Sequence, residues 1–530
     1  MIIIVSCIVC LLMAFCLGCE LRRDLMMLQQ NSYRRERYMK WLRVSGDTTS
    51  ISRLLALVIL FISLCSLHLE IIGLTLTTVF AICRSWSLMR ARYKKPLVMT
   101  ARATRIFVTD IVVAAIIVAV AVACALKSGL LASSVAVLTL LTLYCLSHVV
   151  TLLSNFILQP VEKSINRKYY NDAKKRLESM PGLKIIGITG SYGKTSTKHY
   201  LQRILSEQFD TLMTPGSFNT TLGVIRTVRE YLKPYNEVFI VEMGAKQKGD
   251  IKEICDLVHP FIGIITAVGP QHLESFKTLE NVRDTKFELA DALPSDGLAV
   301  LNDDFGMVAN RDVTNTHVKR YAVKNTTNAS FTAEDIIYSP SGTRFAVRGP
   351  EGFEMIVETK LVGECNIANL LAAIVVALEL GMNTEKIRYA VSQIEQVEHR
   401  LSIKRTPGGV TILDDAFNSN PSGSAMALDV LAMMKGGRRI VVTPGMIELG
   451  ESQYNLNYQF GRHIAECADL AFVVGHYNRE AIVKGICDGG MDESKIHTFN
   501  SFAEAQTFLN GNLKSGDFVL YENDLPDTFK

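Results

Sequence analysis

The apolar residues of this chain follow two different patterns. Up to about residue 158 they form long runs of the length that crosses a lipid bilayer, separated by short basic stretches. Beyond residue 159, short β-branched runs alternate with segments in which apolar residues recur every three or four positions. The first pattern predicts transmembrane helices. The second predicts alternating strands and helices around a parallel sheet.

From this alternation we expect an α/β soluble part preceded by an α-helical transmembrane region. The predicted boundaries are residues 1–158 for the multi-span transmembrane region, 159–183 for a linker, 184–400 for a central domain with a P-loop-type parallel sheet, and 401–530 for a Rossmann-like C-terminal domain. Short β-like runs with Gly and Pro turns at 318–361 predict an antiparallel flank on the first sheet.

The apolar part predicts five spans. They come from four apolar stretches, residues 2–19, 54–83, 106–126 and 130–158. The second stretch is long for one helix and short for two, because a span needs about 20 residues. We expect two short helices there, broken near His68, Glu70 and Gly73. One long tilted span is the alternative.

Basic residues beside the spans predict the topology, because Lys and Arg next to spans are kept in the cytoplasm. Two stretches carry them: Arg22, Arg23, Arg34, Arg35, Arg37, Lys40, Arg43 and Arg53, and then Arg84, Arg90, Arg92, Lys94, Lys95, Arg102 and Arg105. Both stretches are expected inside. A helical hairpin after the second stretch then returns the chain, and places the soluble part in the cytoplasm.

Composition agrees with a membrane part fused to a soluble part, since 48% of the residues are apolar and the mean hydropathy is +0.21. Eight of the twelve cysteines lie in the apolar part, where cysteine acts as a small hydrophobic residue. The other four, Cys255, Cys365, Cys467 and Cys487, show no paired metal-type spacing. We therefore expect reduced thiols in a cytosolic domain.

The segment KIIGITGSYGKTSTK, residues 184–198, predicts a phosphate cradle. A β-branched run leads into a glycine turn, and the following residues open a helix whose free N–H groups point at an anion. The predicted phosphate-binding residues are Gly190, Ser191, Gly193, Lys194, Thr195 and Ser196. Lys194 would neutralise phosphate charge, and Thr195 would offer a hydroxyl to Mg²⁺. The short G-x-x-G-K-T spacing predicts a nucleoside triphosphate site, for ATP if the domain is cytoplasmic.

Polar residues at the ends of later strands predict where a metal would lie. Glu242 ends its strand in VEMGA, and His272 follows the next strand in GPQHLESF. Asp414 and Asp415 end a strand in LDDAFNSNP. Functional residues gather at the carboxyl ends of parallel strands. A carboxylate and an imidazole on the sheet of the phosphate loop suit Mg²⁺, so Glu242 and His272 are candidate metal ligands.

These motifs, in this order, resemble the Mur ligase family, the ATP-dependent amide-forming enzymes of peptidoglycan precursor synthesis. The resemblance covers residues 184–520 and rests on GSYGKTSTK, NTTLG, VEMGA, GPQHLESF, ECNIANLLAA, HRL, DDAFNSNP and GMIELGESQ. Within the family, the chain is most similar to the members that add D-alanyl-D-alanine to a muramoyl tripeptide. It departs from the family at Cys365, which is usually histidine, and at Phe417, which is often tyrosine.

The resemblance implies roles for individual residues. The implied metal ligands are Thr195, Glu242, His272 and Lys286, and the implied catalytic residues are Lys194, Glu242, His272, Lys286 and Arg400. Lys286 matches a lysine that the family carbamylates, which turns a cation into an anionic ligand. Asn366 and Asn369 match adenine contacts. Arg400 matches a residue that reaches the γ-phosphate after domain closure, and Asp415 one that reaches the ribose.

The implied function is a membrane-associated ligase that uses ATP and Mg²⁺ to activate a carboxylate as an acyl phosphate and joins it to an amino acid or dipeptide. We expect a multi-pass protein of a bacterial inner membrane with its ligase domains in the cytoplasm. Spans stand where the family has a UDP-sugar-binding domain, so the cell-wall precursor is either UDP-linked or lipid-linked, and no nucleic-acid partner is expected. Two alternatives stay open: a poly-γ-glutamate-type synthase, and an ATP-driven membrane transporter or sensor.

Overall fold

The computed structural model describes residues 2–65, 70–93, 95–339, 342–417 and 419–525. The chain divides into two compact units, a helical unit that reaches to Arg167 and an α/β unit at Lys168–Asp524. The predicted fold class is confirmed, because apolar helices precede two helix-covered sheets.

The helical unit is built from helices of the N-terminal apolar part. They are α1 (Ile2–Gln30), α2 (Arg35–Ser45), α3 (Ile51–Cys65), α4 (Glu70–Arg90), α5 (Ala101–Lys127), α6 (Ala132–Cys145) and α7 (Ser147–Ile157). Helix α8 (Gln159–Glu178) follows in the residues assigned to a linker, and the division between the two units falls within it.

Three helices in the described part of the chain are long and apolar enough to cross a membrane: Ile4–Gln30, Ile71–Arg90 and Ala101–Lys127. Helices α6 and α7 meet at an angle of 77°, so the stretch expected to return at 130–158 is a bent pair of helices, either one broken span or a re-entrant loop. Five spans are reached only if the shorter α3 and this bent pair also cross. His68 lies outside the described residues, whereas Gly73 lies inside α4.

A buried arginine holds the bend between α6 and α7. The Arg53 guanidinium, whose residue is 1% exposed, donates to the carbonyls of Tyr144 and Cys145 at 3.1 and 2.9 Å and to Ser147 Oγ at 3.1 Å. The two carbonyls lie in the last turn of α6, where carbonyl groups lack the N–H partners of a continuing helix. Arg53 therefore caps α6 and stabilises the turn into α7.

Two cations that helped to predict the topology take part in the packing of the helical unit. Arg53 also pairs with Asp24 and Asp47, at 3.5 and 3.3 Å. The partly buried Arg84 pairs with Glu20 at 2.9 Å. Acids of the same unit lie beside both cations, and Glu20 and Asp47 also pair with Arg23, so all three arginines serve the packing of the helical unit.

The first sheet of the α/β unit has the strand order β2-β3-β1-β4-β5-β6-β7-β8-β9. Its strands are β1 (Lys184–Thr189), β2 (Thr211–Met213), β3 (Val238–Glu242), β4 (Ile262–Ile265), β5 (Leu298–Asn302), β6 (His317–Ala322), β7 (Phe331–Ser339), β8 (Gly342–Arg348) and β9 (Glu354–Thr359). Strands β1 to β7 pair in parallel, and β7 to β9 form the antiparallel flank that the sequence predicts.

Helices cover both faces of this sheet, and so β1 and β3 are buried along almost their whole length. The helices are α9 (Lys194–Leu205), α10 (Thr221–Glu230), α11 (Asp250–Val258), α12 (Leu273–Phe276), α13 (Leu279–Asp291), α14 (Gly306–Ala309), α15 (Glu364–Glu379) and α16 (Thr384–Ser392). Ile186, Ile188 and Ile240 pack toward α9 and α15, whereas Val241 and Ile265 pack toward α13.

The second sheet has the strand order β10-β11-β15-β12-β13-β14. Its strands are β10 (Ser402–Arg405), β11 (Thr411–Asp415), β12 (Arg439–Thr443), β13 (Leu470–Val474), β14 (Ile496–Phe499) and β15 (Phe518–Glu522), and its helices are α17 (Pro421–Ala432), α18 (Gln453–Cys467), α19 (Arg479–Asp488) and α20 (Phe502–Asn512). Within the described part of this second sheet, only the pair of β10 with β11 is antiparallel. Strand β10 is an edge strand that the sequence did not predict. The parallel register places Asp415 beside Glu522 at the carboxyl ends of β11 and β15.

Candidate active site

The predicted phosphate loop connects β1 to α9 in the middle of the first sheet. Gly190 follows β1 with a φ of 151°, and α9 begins directly after Gly193, whose φ is 80°. Side chains other than glycine rarely adopt such values. A Cβ on Gly193 would also lie 2.2 Å from Asn369 Oδ1. The loop therefore needs both glycines.

Lys194 folds back over this loop. Its Nζ donates to the carbonyl oxygens of Gly190 and Ser191 at 2.6 and 3.2 Å. Burial lowers the pKa of Lys194 to about 8, with Glu242 opposing and Arg400 adding to the effect. The ammonium group thus lies at the rim of the loop, in the position from which it can contact a phosphate.

Glu242 ends β3, as the sequence predicts, and is 1% exposed. Its Oε1 accepts a hydrogen bond from Asn219 Nδ2 at 3.1 Å. Burial alone would raise the pKa of Glu242, but Lys198 and Lys194 hold it below its ordinary value. The side chain is therefore an ionised carboxylate beside the phosphate loop.

Lys198 is a site residue that the sequence analysis missed. Its Nζ lies 3.0 Å from Glu242 Oε2 and donates to the carbonyls of Thr214 and Gly216 at 2.9 and 2.6 Å. The available signal was its spacing, four residues after Lys194 on the same face of α9. Lys198 thus compensates the buried charge of Glu242.

His272 lies after β4, at the start of α12, in a left-handed backbone conformation with a φ of 50°. Its Nδ1 contacts the carboxylate of Glu448, which lies on the loop after β12 in the second sheet's domain. Burial lowers the pKa of His272, and the Glu448 carboxylate opposes this shift. Glu448 belongs to the motif GMIELGESQ, but its contact with His272 was not predicted from the sequence.

Lys286 lies on α13 and is 1% exposed, so it is not an ordinary solvated helix lysine. Burial and the nearby Lys194 cation lower the pKa of Lys286 well below its ordinary value. The lowered pKa favours the neutral amine, which is the form that reacts with CO₂. Its environment therefore suits carbamylation.

The two asparagines predicted to contact adenine lie in the first turns of α15 and are buried. Asn366 Oδ1 accepts from the Tyr200 hydroxyl at 3.0 Å, and its Nδ2 donates to the Val362 carbonyl at 2.8 Å. Asn369 lies against Gly193 of the phosphate loop. The Asn366 side chain thus already hydrogen-bonds to two groups of the protein. Contact of either asparagine with adenine stays a prediction.

Arg400 brings a cation from the start of the second sheet's domain to the phosphate loop. Its Nη2 lies 3.5 Å from Thr195 Oγ1, and its guanidinium stacks on the Phe417 ring at 4.3 Å from the centroid. A flat aromatic ring supports a guanidinium in this way whether or not it carries a hydroxyl. Phe417 therefore provides this stacking contact as a tyrosine at the same position would.

Asp415 lies beside the buried Glu522, an acid that was not predicted as a site residue. Burial raises the pKa of Asp415 to about 6 and, together with the Asp415 charge, raises that of Glu522 well above its ordinary value. Ser419 and Ser424 donate to Glu522 Oε1 at 2.5 and 2.7 Å. The two carboxyl groups therefore hold a shared proton more tightly than an ordinary carboxyl group does.

The α/β unit thus gathers most of the predicted residues at one edge. The Lys194 cation is close enough to Lys286 to lower the pKa of Lys286. The Lys286 cation in turn is close enough to His272 to lower the pKa of His272. A hydroxyl, a carboxylate and an imidazole are donors that Mg²⁺ accepts beside phosphate oxygens, so the residues present fit ATP and Mg²⁺. A phosphate loop, hard metal donors and an arginine from a second α/β domain define an ATP-dependent ligase.

Comparisons with known proteins narrow this class. The Mur ligase middle domain family matches residues 188–377, and the Mur ligase glutamate ligase domain family matches residues 399–521. The chain belongs to the Mur ligase family. The predictions of an ATP-dependent amide-forming enzyme that uses ATP and Mg²⁺ are thereby confirmed.

Named relatives agree with this assignment. The UDP-N-acetylmuramoyl-tripeptide–D-alanyl-D-alanine ligase of Mycobacterium tuberculosis strain H37Rv is 32% identical over 366 residues, which cover 64% of this chain and 70% of that enzyme. The Bacillus subtilis enzyme of the same name is 27% identical and covers 66% and 75%. MurF from Acinetobacter baumannii shares 27% identity at a TM-score of 0.60, over 67% of this chain and 77% of that chain. Thermotoga maritima MurF in complex with ADP shares the fold, at a TM-score of 0.61 and 23% identity over 68% of this chain and 80% of that chain.

Proposed function

We propose that this chain is a membrane-associated ligase of peptidoglycan precursor synthesis, which joins a precursor carboxylate to D-alanyl-D-alanine or a similar amine. The observation that carries the proposal is the meeting of the phosphate loop, Glu242, His272 and Lys286 with Arg400 from the second sheet's domain. The names of the relatives support the dipeptide and the muramoyl acceptor.

The residues support a two-step reaction. A carboxylate oxygen of the precursor attacks the γ-phosphorus of ATP, ADP leaves, and an acyl phosphate forms. The amine nitrogen then attacks the acyl carbon, a proton leaves the nitrogen, and phosphate departs with the former carboxylate oxygen. Lys194, Arg400 and the N–H groups of the loop offset negative charge that would repel the attacking carboxylate.

Mg²⁺, when bound, supplies further positive charge at the transferred phosphoryl group. Thr195, Glu242, His272 and a carbamylated Lys286 would hold it. Asp415 and Arg400 come from the second sheet's domain, so closure of that domain would exclude water that could hydrolyse the acyl phosphate.

The membrane part of the proposal is supported by three helices of sufficient length and apolar character. We place the helical unit in the inner membrane of a bacterium, with the α/β unit in the cytoplasm where ATP is present. An acceptor held by a lipid carrier would be delivered to a ligase anchored in this way. We therefore favour a lipid-linked precursor over a UDP-linked one.

A phosphate-release assay tests the proposal. The purified full-length chain is given ATP, Mg²⁺ and D-alanyl-D-alanine with a muramoyl peptide carried either by UDP or by a polyprenyl carrier. We expect release that depends on the dipeptide and is faster with the lipid-linked acceptor. We expect no release by Lys194→Ala, and wild-type release by Lys233→Ala, which changes an exposed lysine far along the chain from the loop.

Each alternative predicts a different outcome of this assay. Equal use of the UDP-linked acceptor would contradict the lipid-linked part of the proposal. Repeated addition of one amino acid would favour a poly-γ-glutamate-type synthase. Phosphate release that ignores every amine would contradict ligation, although membership of the Mur ligase family already argues against a transporter or sensor.

A further inference from the structure

The contact between His272 and Glu448 joins the domains of the two sheets. Besides the side-chain contact, the backbone N–H of Glu274 donates to the Glu448 carbonyl at 3.3 Å. A Cβ on Gly450 would lie 3.4 Å from the same Glu274 nitrogen. The two segments therefore meet closely through backbone as well as side chains.

Three amide side chains hold the loop that presents this carboxylate. Asn457 Oδ1 accepts from Met446 N at 2.9 Å, and Gln453 Oε1 accepts from Leu449 N at 3.1 Å. Asn478 Nδ2 donates to the Met446 carbonyl at 2.9 Å. Asn457 and Asn478 are buried, so this network fixes the loop from beneath.

We propose that Glu448 is a positioning residue for the metal ligand His272, supplied by the second sheet's domain. A carboxylate that accepts a hydrogen bond from Nδ1–H leaves the lone pair on Nε2, the tautomer that binds a metal, and fixes the direction of the ring. Docking of the second domain thereby completes the metal site on the first. The inference rests on the proposed function, because it takes His272 as a Mg²⁺ ligand.

Metal binding tests this inference without requiring turnover. In this experiment Mn²⁺ replaces Mg²⁺. The full-length chain is saturated with a non-hydrolysable ATP analogue and titrated with Mn²⁺, and electron paramagnetic resonance measures the Mn²⁺ that stays free. We expect Glu448→Ala to weaken Mn²⁺ binding by about 10–100-fold, the usual effect of removing such a partner. Glu448→Gln should lose less, because its amide oxygen still accepts from Nδ1–H. Glu451→Ala removes an equal charge from an exposed position nearby and should bind as the wild type does.

A double-mutant comparison separates positioning from simple adhesion between the domains. If Glu448 acts through His272, Glu448→Ala adds no further loss of Mn²⁺ affinity to His272→Ala. Additive losses, or an unchanged affinity in Glu448→Ala, would overturn the inference. Wild-type affinity in His272→Ala would overturn it too, together with the metal role of His272. Amine-dependent phosphate release by the wild type tests the ligase function separately.

Discussion

At the scale of single residues, the buried pair of Lys198 and Glu242 is the most consequential contact of the site. Both side chains are almost completely buried. Lys198→Met would leave the Glu242 carboxylate without this cation, and removal of one member of a buried ion pair typically costs about 3–5 kcal/mol. We expect a loss of this size in the free energy of unfolding, measured by denaturant titration without nucleotide or metal.

An exposed ion pair provides the control. Lys252 pairs with Asp256 at 2.8 Å, and both side chains are more than half exposed. Lys252→Met should lower the free energy of unfolding far less than Lys198→Met does, because solvent screens an exposed ion pair. Equal small effects of the two substitutions would show that Lys198 does not compensate a buried charge.

The acid pair of Asp415 and Glu522 predicts how stability depends on pH. The raised pKa of Glu522 means that the folded chain keeps a proton that the unfolded chain releases above its ordinary carboxyl pKa. The pair therefore contributes its full share to the free energy of unfolding at low pH. This contribution falls as the pH rises above the ordinary carboxyl pKa and through the pKa of Asp415, which is about 6.

Glu522→Gln tests this sign. The amide oxygen still accepts from Ser419 and Ser424, but no ionisable proton remains. We expect the variant to be more stable than the wild type at pH 7, because it carries no carboxyl group that ionises in this buried position. The two should converge near pH 4.5 in thermal unfolding. A wild type that gains stability steadily from pH 4.5 to 7 relative to the variant would contradict the shared proton.

At the scale of elements, the bend between α6 and α7 depends on Arg53. Arg53→Met removes the cap on α6 and leaves Asp24 and Asp47 without this cation, so we expect a loss of about 3–5 kcal/mol in stability, measured by thermal unfolding of the full-length chain in detergent. Arg53→Lys should lose less, because it keeps the charge but not the fork of donors. Arg43→Met, at an exposed position of α2, should have little effect. A stable Arg53→Met variant would mean that the bend needs no cap.

The elements also show what the sequence could and could not predict. Gly190, Gly193 and Lys194 were predictable, because the residues that form a phosphate loop are neighbours in the sequence and follow a fixed spacing. The strand-end positions of Glu242 and Asp415 were predictable from the alternation of strands and helices. The contact of His272 with Glu448 joins residues 176 positions apart, and the cap by Arg53 joins residues 91 positions apart. No local pattern marks such contacts, since only the packed fold brings their partners together.

At the scale of the whole molecule, a ligase site from the α/β unit and apolar helices are combined in one chain. The site contains two domains that must meet, since Arg400 and Glu448 come from one and the phosphate loop and His272 from the other. The helical unit carries its own layer of buried ion pairs around Arg53. The candidate reacting groups of this ligase therefore assemble only when both sheet domains are in contact.

Oxygen transfer tests the central claim, carboxylate activation, most directly. The precursor is labelled with ¹⁸O in the carboxylate to be activated and incubated with the wild-type chain, ATP, Mg²⁺ and D-alanyl-D-alanine, and the released phosphate is analysed by mass spectrometry. The account predicts one ¹⁸O atom in each phosphate that accompanies amide formation, because the former carboxylate oxygen leaves with it. Amide formed together with unlabelled phosphate would contradict it.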